Sequence, residues 1–153
     1  MSIKQAVVSD LSTVKKISAI TISEIYPHYY PKEAVDFFLV HHSEDNIMKD
    51  IERNRVFLCL DGSRNTVGTI TIKKNEICRL FVLPSCQGIG YGTEMLDFAE
   101  QAIFAQYSKV VLDASLPAKK IYLKRGYKDI EFNSIAVGNQ EFLCYDVMEK
   151  EKM

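Results

Sequence analysis

Three alternate glycines sit between a strand pattern and a helical one in the run Val82-Leu83-Pro84-Ser85-Cys86-Gln87-Gly88-Ile89-Gly90-Tyr91-Gly92. An apolar stretch, Ile77 to Leu83, leads into the run. Met95, Leu96, Ala99, Ala102 and Ile103 leave it at three- and four-residue spacing, the period of a helix. Such a turn presents unpaired backbone N–H groups at a helix N-terminus, where the positive end of the helix dipole also lies. The combination suits a phosphate or pyrophosphate, and glycine lets the backbone approach the ligand closely at positive φ.

Three nucleotide motifs compete for this loop. A Walker loop needs Lys followed by Ser or Thr after its last glycine, and neither is present. A dinucleotide fingerprint needs glycine where Thr93 stands. Asp113 does lie about 20 residues onward, as that fingerprint asks, so a nicotinamide-binding fold built on Gly88, Gly90 and Asp113 is weakened and still open. The third motif fits at every position. Gln87-x-x-Gly90-x-Gly92 resembles the Q/R-x-x-G-x-G/A signature with which the GNAT superfamily of N-acetyltransferases grips the pyrophosphate of coenzyme A, and Val82-Leu83-Pro84 resembles its V-x-P lead-in. A second segment, Ala118-Lys119-Lys120-Ile121-Tyr122-Leu123-Lys124-Arg125-Gly126-Tyr127, is similar to the family's A-x-x-[FLI]-Y-x-x-x-G-[FY]. A strand, Lys109 to Asp113, lies between the two, as a strand–helix–strand unit requires.

At 153 residues the chain reads as one domain, residues 1–153. A formal net charge of −1 argues against a nucleic-acid partner. No apolar run approaches the roughly 18 residues of a membrane span, and the N-terminus lacks a signal-peptide plan, so the expected location is cytoplasmic. Cys59, Cys78, Cys86 and Cys144 show no C-x-x-C spacing and read as reduced thiols, with Cys86 open to a reactive reading beside the loop. His28, His41 and His42 have no carboxylate or cysteine at ligand spacing, so no metal is expected and packing or surface roles are favoured. Lys119, Lys120, Lys124 and Arg125 crowd one short helix, as a solvated face or as cations near the ligand's phosphates.

The remaining pattern gives a strand over Ile3 to Val8 and a helix from Ser9-Asp10 with Leu11, Val14, Ile17, Ile20 and Ile25 inward. Pro27 and Pro31 bracket a tyrosine-rich turn. Helical stretches follow at Ala34 to Val40 and Asn46 to Arg53, then strands at Arg55 to Leu60 and Thr66 to Lys73 around an Asp61-Gly62 turn. Closing strands are expected at Lys128 to Phe132 and Glu141 to Met148. The expected fold is α/β: a mixed, mostly antiparallel sheet of about seven strands with a splayed parallel pair, flanked by helices, which is the GNAT arrangement.

The resemblance implies the rest of the site. The splayed pair would be Glu76–Leu83 and Lys109–Asp113, with backbone groups of Phe81 and Val82 pairing the pantetheine arm of acetyl-CoA. Gln87, Gly88, Ile89, Gly90, Tyr91, Gly92 and Thr93 would take the pyrophosphate. Tyr122 would protonate the departing thiolate, since a phenol stays neutral at pH 7 and can donate to sulfur. Glu76, placed by alternation with Cys78, Leu80 and Val82, is the candidate base, directly or through water. Ser115 stands where many members carry an asparagine that helps hold the cofactor arm. Tyr26, Tyr29 and Tyr30 fall where the family walls its acceptor pocket, and could embrace an amine by packing and cation–π contact. The implied partners are acetyl-CoA and a small-molecule, peptide or protein amine, with a homodimer common in the family. A non-catalytic module that binds coenzyme A would keep both motifs and release no thiol.

Overall fold

The computed structural model describes residues 2–153. The strands are β1 (Ser2–Gln5), β2 (Val56–Leu60), β3 (Thr66–Lys73), β4 (Glu76–Val82), β5 (Lys109–Ala114), β6 (Lys128–Gly138) and β7 (Glu141–Glu151). The helices are α1 (Leu11–Ile25), α2 (Lys32–His41), α3 (Glu44–Glu52), α4 (Tyr91–Phe104) and α5 (Leu116–Lys124). Among the described residues, these seven strands form one sheet in the order β1-β2-β3-β4-β5-β7-β6. Only β4 and β5 are parallel neighbours, and the other pairs are antiparallel. This is the expected mixed sheet. No helix among the described residues is long and apolar enough to cross a membrane.

Each sheet face buries its own core. Under α4, Met95, Leu96 and Ala99 pack on Ile70, Val110 and Leu112. On the opposite face, Ile17 and Ile22 of α1 and Ala34 and Val35 of α2 pack around Phe81 and Leu143. Ile47 and Ile51 of α3 cover Val56 and Leu58 with Val14. Each fully buried aliphatic side chain contributes about 1.5–3 kcal/mol relative to exposure, so these helix stripes hold both layers to the sheet. α4 reaches very close to β3. A Cβ built on Gly68 would lie 2.8 Å from Met95 Cε and 2.9 Å from the Phe81 carbonyl oxygen.

The parallel pair is short. Register is kept only from Glu76 to Val111 and Ile77 to Leu112. Beyond Ile77 the strands diverge, so backbone groups of β4 that face β5 lose their strand partner. The opening lies against the start of α4 and the β5–α5 junction, where the site forms.

Three local features depart from the sequence pattern. The β3–β4 register slips between Thr71, paired with Arg79, and Ile72, paired with Ile77, leaving Cys78 as a bulge. Ile77 therefore packs in the α4 core although Phe81 packs on the α1–α2 face. The expected shared face of Glu76 with Leu80 and Val82 does not hold, because the bulge flips the alternation and turns Glu76 to the side of Arg79 and Phe81. The second feature is β6, which runs on from Phe132 to Gly138. Its inward residues Ile135 and Val137 pack against the α1–α2 core, and Asn139 and Gln140, at φ 52° and 63°, close the hairpin to β7. At the N-terminus, β1 stops at Gln5, and the Asp10 carboxylate accepts from the Val7 N–H at 2.9 Å to turn the chain into α1.

Candidate active site

The glycine loop forms because two residues need positive φ. Gly88 sits at φ +80° and Gly90 at φ +106°, and Gly90 is the residue before the first turn of α4. A Cβ at either position would meet nothing within 4 Å, so backbone conformation, and not space, demands glycine there. The first bond of the helix runs from the Glu94 N–H to the Gly90 carbonyl at 3.0 Å. The N–H groups of Tyr91, Gly92 and Thr93 therefore have no carbonyl within the helix. The Gln87 amide folds back to donate to the Val82 carbonyl at 2.9 Å, closing the loop on the strand that feeds it.

Two cavities meet at the splayed strands. The larger, about 460 Å³, runs from the loop along β4 to α5. Of the residues expected to hold the cofactor, Phe81, Val82, Gln87, Gly88, Gly90, Tyr91, Gly92, Thr93 and Ser115 line it. Ile89 does not, and the residue is 65% exposed. No charged side chain lines this cavity among the described residues, so an anion there would rest on backbone N–H groups and the helix dipole. The basic residues of α5 and its C-cap contribute less than their number implies. Lys119 pairs with Asp146 at 2.6 Å and Asp129 at 3.2 Å, and Arg125 with Asp97 at 2.8 Å and Glu100 at 3.0 Å.

The smaller cavity, about 220 Å³, opens on the α2 side of the sheet. Phe37, Phe38 and Phe81 give it an apolar wall, and His41, Arg79, Asp113 and Tyr145 are polar lining residues. Tyr26, Leu80, Phe81, Ser115, Ala118 and Tyr122 line both cavities and form the junction between them. Tyr122 is buried there, and burial, with the Tyr26 phenol nearby, pushes its pKa far above the ordinary 10.0. Its hydroxyl is therefore a neutral donor at any physiological pH.

The three tyrosines before α2 separate. Tyr26 is buried at the junction, and burial pushes its pKa up to about 12 with partial relief from the Ser115 side chain. Tyr30 packs in the α1–α2 core and uses its hydroxyl to accept from the Leu116 N–H at 2.7 Å. Tyr29 is 51% exposed and lines neither cavity. Glu76 also stands outside both linings, at the closed end of the wedge beside Val111. Burial and the Asp113 carboxylate raise its pKa.

Several lining residues were not singled out for this site by the sequence. Thr21 and Ile25 of α1 line the larger cavity, and His41, Arg79 and Tyr145 the smaller. Helical periodicity marks Ile25 only as core, and nothing local marks the others. Arg79 is held in a buried network: Nη1 donates to Thr71 at 2.7 Å, Nε to His42 Nδ1 at 3.1 Å, and Nη2 meets Asp50 at 3.3 Å. Burial and the adjacent guanidinium push the His42 pKa down to about 2, so that imidazole is neutral. Cys86, half-buried, lines the larger cavity beside the loop. No group of three or more His, Cys, Asp or Glu side chains among the described residues is arranged to hold a metal ion.

The geometry can be set beside known proteins. The family model described as "Acetyltransferase (GNAT) domain" matches residues 26–145. A GCN5-related N-acetyltransferase from Rhodopseudomonas palustris superposes with a TM-score of 0.88 at 22% identity, over 99% of this chain and 95% of that one. PaiA N-acetyltransferase from Thermoplasma acidophilum, solved in complex with coenzyme A, gives 0.75 at 17%, over 99% and 98%. YncA from Salmonella typhimurium, solved with its cofactor acetyl-CoA, gives 0.74 at 13%, over 99% and 93%. No curated protein matches the chain by sequence. The structural likenesses, all below 25% identity, speak for the fold. The family model spans most of the chain across β4, the glycine loop and the Tyr122 helix, and on that ground this protein belongs to the GNAT acetyltransferase family.

Proposed function

We propose that the protein is an acetyl-CoA-dependent N-acetyltransferase that moves an acetyl group to a primary amine by direct attack in a ternary complex. The observation that carries this reading is the buried Tyr122 at the junction of two cavities, one running from the glycine loop along β4 to α5 and one lined by α2. The larger cavity fits coenzyme A. Free N–H groups at the start of α4 suit its pyrophosphate, and unpaired strand groups of β4 suit the amides of its pantetheine arm. Coenzyme A and acetyl-CoA are present in the PaiA and YncA structures. When bound, acetyl-CoA supplies a thioester carbonyl open to an amine.

The chain's own residues have distinct tasks. The α4 N-terminus holds the anion, and β4 aligns the arm toward the junction. Tyr26 and Phe81 wall the acceptor side with Phe37 and Phe38. Tyr122 donates its hydroxyl proton to the departing sulfur. An alkylammonium has a pKa near 10.4 and must lose a proton before attack. That proton leaves toward Glu76 through intervening water, or toward a group lining the smaller cavity.

The test is acetyl-CoA-dependent release of free thiol across a panel of alkylamines, amino acids and short peptides, with Tyr122→Phe alongside. The expected result is a wild-type hit whose turnover falls ~10²-fold in the variant, at the low end of general-acid effects. Coenzyme A affinity should change little. Unchanged turnover would remove Tyr122 from the mechanism. Tight coenzyme A binding with no thiol release for any acceptor would favour a binding module over an enzyme.

A further inference from the structure

We propose that His41, the last residue of α2, is the base that takes the proton from the acceptor ammonium. The inference rests on the reading of the smaller cavity as the acceptor site. His41 lines that cavity with Tyr122 and Asp113. Its ring stacks on Phe37 at 5.9 Å between centroids and 9° between planes, and meets the His42 ring edge-on at 4.9 Å. Two ring neighbours thus orient it, while the residue stays exposed to solvent. Among the described residues no group hydrogen-bonds its ring nitrogens, and its backbone carbonyl accepts from the Asn46 amide at 3.0 Å. A neutral imidazole with an open lone pair is a proton acceptor suited to neutral pH.

The other groups around the cavity fail on specific grounds. The Nδ1 lone pair of His42 already accepts from Arg79. Arg79 is a cation held by Thr71 and Asp50. Burial pushes the Cys78 thiol up to about 12 and raises the Tyr145 phenol, so both stay protonated. Asp113 is a carboxylate whose pKa burial raises, and it is suited to attract the ammonium beside His41. Glu76 lies outside the lining. The charges that act on His41 come from several elements. Burial lowers its pKa most, then Arg79 of β4, and Lys73 of β3 adds to this; Asp113 of β5 and Asp50 of α3 oppose them. The balance keeps the ring neutral at pH 7. Burial against phenylalanines also lowers the pKa of an ammonium in the cavity, which narrows the gap for proton transfer.

The protons balance. The first ammonium proton passes to His41 and from there to water. The amine lone pair forms the N–C bond, and the C–S bond breaks. The second nitrogen proton, lost as the adduct collapses, replaces the one that Tyr122 gives to sulfur. The net products are the acetamide, free thiol and one proton.

The experiment compares wild type with His41→Gln, using acetyl-CoA and the best acceptor from the amine and peptide panel. kcat/KM is followed over pH, and coenzyme A binding is followed by calorimetry. We expect an acid limb in the wild-type profile and a His41 ring resonance that titrates below pH 6.5 in the free protein. The variant should lose ~10²–10⁴-fold in kcat/KM and lose the acid limb, with coenzyme A affinity unchanged. Should His41→Gln fail to fold, rescue of His41→Ala turnover by added imidazole tests the same role. A variant that keeps the acid limb, or an alanine variant that imidazole does not rescue, overturns the assignment to His41 alone. A wild-type protein that binds no coenzyme A overturns the underlying reading along with it.

Discussion

The Tyr30 hydroxyl accepts a 2.7 Å hydrogen bond from the backbone N–H of Leu116, across 86 positions of sequence. The Leu116 N–H is one of the orphan donors of the first turn of α5, and Ser115, the residue at the N-cap, makes no side-chain capping bond. A residue from beyond α1 thus caps the helix that carries Tyr122. Tyr30→Phe removes the acceptor and leaves a half-buried N–H unpaired, which costs about 1–3 kcal/mol. We expect a lower Tm together with a fall in kcat, read by thermal melts and thiol release, because α5 loses a fixed point at the junction. A variant with lowered Tm and unchanged kcat would confine Tyr30 to stability.

Gly90 tests the anion site. At φ +106° any side chain is strained, so charge has to be separated from conformation. Gly90→Asn and Gly90→Asp are nearly isosteric, and asparagine tolerates positive φ better than most residues. The expected order of coenzyme A affinity by calorimetry is wild type, then Asn, then Asp, with no measurable binding for Asp. Equal losses in the two variants would assign the effect to loop strain and speak against an anion at this turn.

The parts of the site legible in sequence are those written in consecutive residues. Gln87 to Thr93 and Ala118 to Tyr127 carry their geometry locally, through glycines at fixed offsets and a helix behind Pro117. Strands such as Thr66–Lys73 announce themselves by β-branched alternation. What escaped depends on partners distant in the chain. The bulge at Cys78 is a relation between β3 and β4, and it moved Glu76 to a face that alternation alone assigns wrongly. The second half of β6 lies past the expected strand end at Phe132 and is set by Ile135 and Val137 finding the α1–α2 core. His41 and Asp113 come to line one cavity only when α2 packs across β6 and β7.

Gly68 is fixed by close approach. A Cβ there would press at 2.9 Å on the Phe81 carbonyl, a backbone atom that cannot swing aside, and at 2.8 Å on the more yielding Met95 Cε. Gly68→Ala should cost about 1–3 kcal/mol by overpacking, read as a shifted urea midpoint with an unchanged slope. Since Phe81 walls both cavities, coenzyme A affinity should fall as well. An alanine variant as stable as wild type would mean that β3 and β4 separate freely at this point.

Glu100 ties α4 to the end of the sheet. Its Oε1 accepts from Lys150 at 2.7 Å, and its Oε2 accepts from Arg125 and from Tyr127, both at 3.0 Å. Burial pushes its pKa up, but the hydrogen bonds from Arg125 and Lys150 outweigh burial and hold it below the ordinary 4.5. A carboxylate depressed in the folded state contributes stability above its unfolded pKa and loses it as pH falls through the folded one. Glu100→Gln keeps the shape and cannot titrate. At pH 7 it should cost about 2 kcal/mol, below the ~3–5 kcal/mol of a fully buried pair. The discount follows because the side chains of Arg125 and Lys150 keep 18% and 21% of their exposure to water. The stability gap between wild type and variant, measured by urea denaturation, should therefore be constant near neutrality and close as pH drops below 4.5. A gap that stays constant into acid would show that the network acts by packing, with the charge on Glu100 contributing nothing.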